Sequence, residues 1–185
     1  WMDVVTPEGH RHTQGQGVAE ITPYLQFAME MNPTNLESFL VTAYWLQVMG
    51  EMGKAEQVLR DGLIRNPASP ALLLEIGKLH LRRQDYQSAA HALDAALKAW
   101  PRQADPDDRQ AQLDHGEMYA YRALLYEVTG DLSRAADTLQ QELDLLPERT
   151  VLRSRIANLR SGHRAPSPAL QRLKDALESR PDHLS

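Results

Sequence analysis

Apolar residues recur along the chain with helical spacing, in segments that each end at a proline. Four such segments are AEQVLRDGLIRNP (55–67), AAHALDAALKAWP (89–101), AADTLQQELDLLP (135–147) and ALQRLKDALESRP (169–181). Residues three or four apart share one face of a helix, so each segment predicts an amphipathic helix. Another helical stretch precedes each segment, and the two meet at a turn such as RRQDY or TGDLS. The pattern therefore predicts a series of helix hairpins.

The closing prolines are periodic. Pro33, Pro67 and Pro101 are 34 residues apart, as are Pro147 and Pro181, whereas 46 residues separate the two sets, which is 34 plus an insertion of 12. A leucine stands eight residues before each proline, at Leu25, Leu59, Leu93, Leu139 and Leu173. Proline cannot continue a helix, so it marks the boundary between hairpins. A fixed period of this length predicts a solenoid of stacked units.

The repeat resembles that of the tetratricopeptide repeat family, whose motif combines a large apolar residue, three small residues and a proline. The first repeat supplies Phe39, Ala43, Ala55, Gly62 and Pro67, and the second supplies Leu73, Gly77, Ala89, Ala96 and Pro101. The third repeat has Glu142 where a small residue is expected, and the fourth has Arg153 at the large apolar position. The resemblance implies an all-α fold, a right-handed superhelical solenoid of antiparallel helix hairpins.

The motif divides the chain into successive units. An irregular segment (1–17) leads into a half repeat of one helix (18–35), followed by repeats 36–69 and 70–103, an insertion (104–115), repeat 116–149, and a fourth repeat with a basic C-terminal cap (150–185). The insertion extends the next helix, for which Asp105 is the predicted N-cap and Pro106 the first residue. Gly116 marks a predicted kink in that helix.

The resemblance also implies a binding surface, because the family binds peptides or helices in the concave groove that its first helices line. Matching the groove positions residue by residue gives Leu40, Tyr44, Gln47, Leu74, Lys78, Arg82, Tyr121, Leu124, Arg155 and Asn158, with Val41 and Val48 beside them. Aromatic and basic side chains often dominate binding energy, which favours Tyr44, Lys78, Arg82 and Tyr121. The two tyrosines have an alternative role, which is packing between helices.

Charge is distributed unevenly along the chain. Residues 1–148 carry 12 basic and 22 acidic side chains, a net charge of -10, and residues 149–185 carry 8 and 3, a net charge of +5. The basic end contains no aromatic ring, whereas binders of single-stranded nucleic acid stack bases on such rings. We therefore expect a protein or peptide partner and no nucleic acid, and interpret the basic end as a solvated cap.

Catalytic and cofactor motifs are scarce. The chain has no cysteine, and GQGVAE has Glu20 where a dinucleotide-binding loop requires glycine, so we expect neither an enzyme nor a bound cofactor. The segment GHRHTQGQG contains His10 and His12, which point the same way if the chain is extended and are then candidate metal ligands. Two ligands do not complete a zinc site, so a polar linker is the favoured interpretation.

A narrower resemblance covers roughly residues 8 to 70. The order GHRHTQGQGVAEITPYLQFAMEMNP and then FLVTAYWL is similar to uncharacterised bacterial repeat proteins with an N-terminal membrane anchor. It implies a periplasmic or inner-membrane-anchored scaffold, with a cytoplasmic location as the alternative. Membrane contact would come only through an anchor preceding this chain.

Together these observations predict a non-catalytic protein–protein interaction scaffold or accessory subunit that binds through its concave groove. Two alternatives remain open. One is a metal-binding protein that uses the N-terminal histidines, and the other is a structural subunit that binds through its ends or its convex face.

Overall fold

The computed structural model of the protein describes residues 35–101 and 108–164, together with the separate positions 23, 27, 31 and 32. Regular structure in these stretches is helical throughout. In chain order the helices are α1 (Leu36–Val48), α2 (Met52–Arg65), α3 (Pro70–Arg82), α4 (Tyr86–Ala99), α5 (Arg109–Thr129), α6 (Leu132–Leu145) and α7 (Val151–Arg160). Within the described part of the chain, no helix is long and apolar enough to cross a membrane.

Short polar side chains begin several of these helices. Asn35 accepts a hydrogen bond from the backbone of Glu37 at the start of α1, and Asp85, Asp108 and Asp131 do the same for α4, α5 and α6. Each bond satisfies a backbone N–H that has no partner within its helix. Gly130 ends α5 with a φ of 91°, a left-handed conformation that glycine adopts without steric cost.

Consecutive helices pack against each other along the whole described chain, so that α1–α2, α3–α4 and α5–α6 form antiparallel hairpins and α7 packs on α6. In addition, α1 contacts α3, and α3 contacts α5. The first helices of successive hairpins therefore lie side by side in one layer. This arrangement confirms the predicted all-α solenoid of helix hairpins.

Leucines and small residues form a core that continues from one hairpin to the next. Leu59, Leu72, Leu79 and Leu93 are completely buried. Gly77 permits a close approach of α3 and α4, because a Cβ at this position would lie 2.7 Å from the Leu93 side chain. A hairpin buries its apolar face on its neighbours, which is the source of stability in repeat proteins.

The third and fourth units differ in detail from the sequence-based expectation. Helix α5 has 21 residues and is capped by Asp108, whereas Asp105 and Pro106 lie outside the described residues. α5 continues through Gly116, where a Cβ would lie 2.5 Å from the Leu146 side chain, so this glycine serves close helix packing.

In α7 the buried apolar contact comes from Leu152, while Arg153 beside it is exposed. Leu72 and Met118 are buried at the equivalent position of the two preceding repeats, so Leu152 keeps a core position that does not depend on Arg153. Glu142, in place of a small residue, is buried and accepts a hydrogen bond of 2.6 Å from Arg149. Burial raises the pKa of its carboxyl group, and the hydrogen bond from Arg149 opposes this effect.

Candidate functional site

The inner layer of first helices presents an apolar stripe on α1. Val41, Tyr44 and Val48 follow each other at intervals of three and four residues, so they share one face of the helix. Their relative exposures are 37%, 60% and 55%. The Tyr44 ring meets the Trp45 ring edge-on, with 5.5 Å between ring centroids. Tyr44 thus projects into solvent and is not packed between helices.

Two other predicted groove residues of α1 are half-buried. Leu40 packs against the first core cluster, which includes Phe39 and Leu72. The side-chain oxygen of Gln47 is buried and accepts no hydrogen bond from any residue the structure describes. A buried acceptor without a donor is energetically costly, and this oxygen is out of reach of a bound partner while the side chain keeps its orientation.

On α3, Lys78 is held by neighbours of opposite charge. Its Nζ lies 2.6 Å from Glu75 and 2.7 Å from Glu117 on α5, and 4.9 Å from the centroid of the Tyr121 ring. Burial alone would lower the pKa of Lys78, but the attraction of Glu75 and the hydrogen bond with Glu117 outweigh it and raise the pKa. Lys78 therefore joins α3 to α5 as a fully ionised, internally paired group.

Arg82, one turn further along α3, is in a different situation. Its Nε is buried without a hydrogen-bond acceptor, and no carboxylate within residues 35–101 and 108–164 forms an ion pair with it. Burial lowers the pKa of Arg82, and the charge of Glu75 opposes this effect. Arginine stays protonated in proteins, so Arg82 offers unpaired donors at the inner layer.

The remaining predicted groove residues lie in three environments. Leu74 and Leu124 are buried and belong to the core, and Tyr121 is half-buried beneath Lys78. Asn158 on α7 is exposed. Arg155 on α7 donates a hydrogen bond of 2.5 Å to Glu127, a buried residue of α5. Of the predicted set, the described structure thus leaves Tyr44 and Asn158 exposed, and leaves Arg82 half-buried without an ion pair.

A pocket that sequence reasoning missed opens at the N-terminal ends of α1, α3 and α5. Its volume is about 480 Å³, and its apolar wall includes Leu36, Leu40, Leu74, Trp100 and Met118. The Trp100 ring stacks on His115, with centroids 4.8 Å apart and an interplanar angle of 11°. Burial lowers the pKa of His115, which favours the neutral imidazole in this stack.

Four carboxylates surround the pocket. Glu75, Asp108, Asp114 and Glu117 line it, and no basic residue of the described chain does. Asp114 and Glu117 are three residues apart and share a face of α5. The sequence contains a signal for this site, since Glu75 on α3 and both Asp114 and Glu117 on α5 lie in the first halves of their helices. The motif alone does not show that the two helices combine.

The candidate metal ligands are histidine and carboxylate side chains. His10 and His12 lie outside the described residues, so the predicted pair is not placed by the structure. Among the residues that are described, no group of three or more histidine, aspartate or glutamate side chains is arranged to hold a metal ion. The buried His80 has Nδ1 3.3 Å from Asp85 and Nε2 3.8 Å from Glu56, and these contacts engage opposite sides of its ring.

Sequence comparison identifies the repeat. Residues 43–108 and 74–149 match the sequence profile of a tetratricopeptide repeat family. The two matches overlap and together span residues 43–149, which is more than half of the 185-residue chain. No curated protein matches the sequence.

Solved structures with a similar fold include other repeat proteins. MamA has a TM-score of 0.61 at 17% identity, over 88% of this chain and 82% of MamA. PilF of Pseudomonas aeruginosa has a TM-score of 0.62 at 16% identity, over 77% of this chain and 60% of that one. A tetratricopeptide repeat protein from Parabacteroides merdae gives 0.53 at 18% identity, over 88% and 65%. At these identities the similarity concerns the fold alone.

Proposed function

The chain belongs to the tetratricopeptide repeat family, and from this premise we propose that it is a non-catalytic interaction scaffold, or an accessory subunit of a larger complex. It binds a protein or peptide partner through the inner layer formed by α1, α3, α5 and α7. Members of this family serve as interaction modules, so the fold requires no cofactor for such a role.

The exposed stripe of Val41, Tyr44 and Val48 supports this proposal most directly. Single exposed apolar residues are common on protein surfaces, but three on one helix face form a continuous strip. A partner that covers the strip removes apolar area from water, at about 25 cal/mol per Å². Tyr44 also combines a large ring with a hydroxyl group, which is typical of residues that dominate interface energy.

Two polar side chains, Gln47 on α1 and Arg82 on α3, are candidates to orient a bound segment. The buried oxygen of Gln47 lacks a donor, and the buried Nε of Arg82 lacks an acceptor. Both groups lie toward the C-terminal ends of their helices, α1 and α3. Because both atoms are buried in the free chain, a bound segment reaches them only if the Gln47 and Arg82 side chains turn outward on binding, and it then satisfies both groups.

Site-specific photo-crosslinking in the organism that encodes the chain tests the proposal. A photoreactive amino acid replaces Tyr44 in one variant and Ile64 in the control. Ile64 is 77% exposed, but it lies on α2, a second helix, outside the inner layer. We expect a discrete crosslinked partner from position 44 and none from position 64.

A second pair of variants examines whether the strip provides binding energy. Tyr44→Ser combined with Val48→Ser should abolish partner capture by the tagged chain, whereas Ile64→Ser should leave it unchanged. Circular dichroism melts of all variants establish that they remain folded. Crosslinks from position 64 alone would instead support the alternative in which the convex face binds.

A further inference from the structure

The pocket at the N-terminal ends of α1, α3 and α5 has the dimensions of a binding site. Its volume of about 480 Å³ is within the usual range of about 300 to 1,000 Å³ for ligand pockets. Leu40, Leu74 and Met118 come from three different first helices, so the pocket is a product of the stacked repeats. Leu40, a predicted groove residue of α1, also lines the pocket.

The charged residues that line this pocket are all acidic. Four carboxylates line it, and one lysine, Lys78, contacts two of them, which leaves a formal charge of three negative units. The N-terminal end of α5 offsets part of the charge of Asp108, which accepts the backbone N–H of Ala111. Asp114 and Glu117 lie further into the helix and retain most of theirs.

Oxygen atoms of these carboxylates remain available to a ligand. The Glu117 side chain is 44% exposed although one of its oxygens contacts Lys78. One oxygen of Asp114 accepts from Gln110 at 2.7 Å. A carboxylate has about four acceptor positions, so one existing contact does not saturate either group.

We propose that this pocket receives a basic, apolar segment of the partner protein, which places a large aliphatic side chain against Leu40 and Met118 and a Lys or Arg beside Glu117. The inference rests on the proposed function, because it names the chemistry of the segment that the groove binds. Lysine and arginine have long apolar stems, so they contribute to both parts of the contact. A cation also interacts favourably with the face of an indole ring such as Trp100.

The choice of a basic segment follows from charge complementarity. An acidic segment would bring like charges to Glu117 and Asp114, and a purely apolar one would leave these carboxylates partly desolvated without a partner. This conclusion changes the role expected for Lys78. It organises the acidic mouth of the pocket and is not itself the residue that attracts an acidic partner.

Three short fluorescein-labelled peptides test the inference by fluorescence anisotropy with the intact chain. They share the same leucines and differ only at the intervening positions, which are Lys and Arg, Gln, or Glu. We expect the basic peptide to bind about tenfold tighter than the Gln peptide, and the Glu peptide to bind weakest. The preference for the basic peptide should diminish at high salt, because these carboxylates are partly exposed.

Variants assign the effect to the pocket. The double variant Asp114→Asn with Glu117→Gln should remove the preference for the basic peptide. Leu40→Ser should lower the binding affinity of all three peptides by a similar factor. Asp144→Asn on α6 is the matched control, since Asp144 is exposed on a second helix and does not line the pocket. Equal binding of the three peptides, or an equal loss in the control, would overturn the inference.

The two proposals fail in distinguishable ways. If crosslinking at position 44 succeeds but the three peptides bind equally, the pocket inference is wrong and the groove proposal stands. If the basic peptide binds through Glu117 but the native partner crosslinks only from position 64, the groove proposal is wrong. Sedimentation velocity shows whether a second copy of the chain occupies the pocket. If the chain self-associates and the double variant Asp114→Asn with Glu117→Gln does not, the occupant is a second copy, and the assignment to a different protein is wrong.

Discussion

Replacing Arg155 with Met should destabilise the fold by about 3 kcal/mol at neutral pH. The Arg155 guanidinium lies 2.5 Å from Oε2 of Glu127, whose side chain is 1% exposed. The other oxygen of Glu127 is also buried and has no hydrogen-bond partner among the residues the structure describes. Without Arg155 the carboxylate loses its ion pair in a site that water does not reach.

The magnitude follows from burial of the two partners. Removing one partner of a fully buried pair costs about 3 to 5 kcal/mol. The Arg155 side chain is 19% exposed, so solvent already weakens its attraction to Glu127. We therefore expect a cost at the lower end of this range. For a chain of this size, about 3 kcal/mol corresponds to a fall in Tm of roughly 6 to 12 °C.

Urea unfolding followed by circular dichroism measures this cost. The informative companion is Glu127→Leu combined with Arg155→Met, which replaces the charges with apolar groups. We expect the double variant to lie within about 1 kcal/mol of the parent, because desolvation of both charges is then avoided. A single-variant cost below about 1 kcal/mol, or a double variant as unstable as the single one, would refute the reasoning.

Hydrogen exchange locates the effect. The pair joins α5 to α7, and single units of a linear array can open locally without the rest. Amides of α7 should therefore lose protection in Arg155→Met, while those of α1 to α4 keep theirs. Uniform loss of protection would mean that the array unfolds as one unit.

Two further predictions concern Glu142 on α6 and the glycines Gly77 on α3 and Gly53 on α2. Burial raises the pKa of Glu142, and the hydrogen bond from Arg149 opposes this effect. The contribution of the Glu142 carboxyl group to stability is therefore complete below the ordinary carboxyl pKa and is lost as pH rises through the raised pKa. As pH rises from about 4 to 7, the urea midpoint of Glu142→Gln should fall less than that of the parent. Parallel plots of urea midpoint against pH for the two proteins would contradict this. Gly77→Ala should cost about 1 to 3 kcal/mol in thermal melts, because its Cβ would lie 2.7 Å from Leu93. Gly53→Ala, with no atom within 4 Å of the added Cβ, should stabilise by up to about 1 kcal/mol, and equal effects of the two changes would contradict the packing argument.

In the candidate site, the positive charge of a residue does not by itself decide whether the residue is available to a partner. Lys78 is a cation at a groove position, and Arg82 is another on the same helix. In the folded chain Lys78 is neutralised by Glu75 and Glu117, whereas Arg82 has no carboxylate in contact within the described residues. Two basic residues of the same helix thus have different availability to a partner. The distinction depends on what the neighbouring helix contributes.

Much of the architecture was accessible from the sequence because its signals are local. Helical spacing of apolar residues and proline at a fixed period act within one hairpin, and they predicted the helices and the solenoid. The buried small residues Ala55, Ala89 and Ala96 were likewise predicted from the motif. Local signals suffice here because each unit contacts mainly its neighbours in sequence.

Only the tertiary structure decided the chemistry of the inner surface. It buries Leu74 and Leu124, leaves Tyr44 exposed, pairs Lys78 with Glu117, and combines three first helices into one acidic pocket. Each of these features depends on the distance between side chains of different repeats, which a repeat period does not specify. The sequence by itself therefore determined the family and the stacking of hairpins, and the packing between hairpins determined which side chains remain available to a partner.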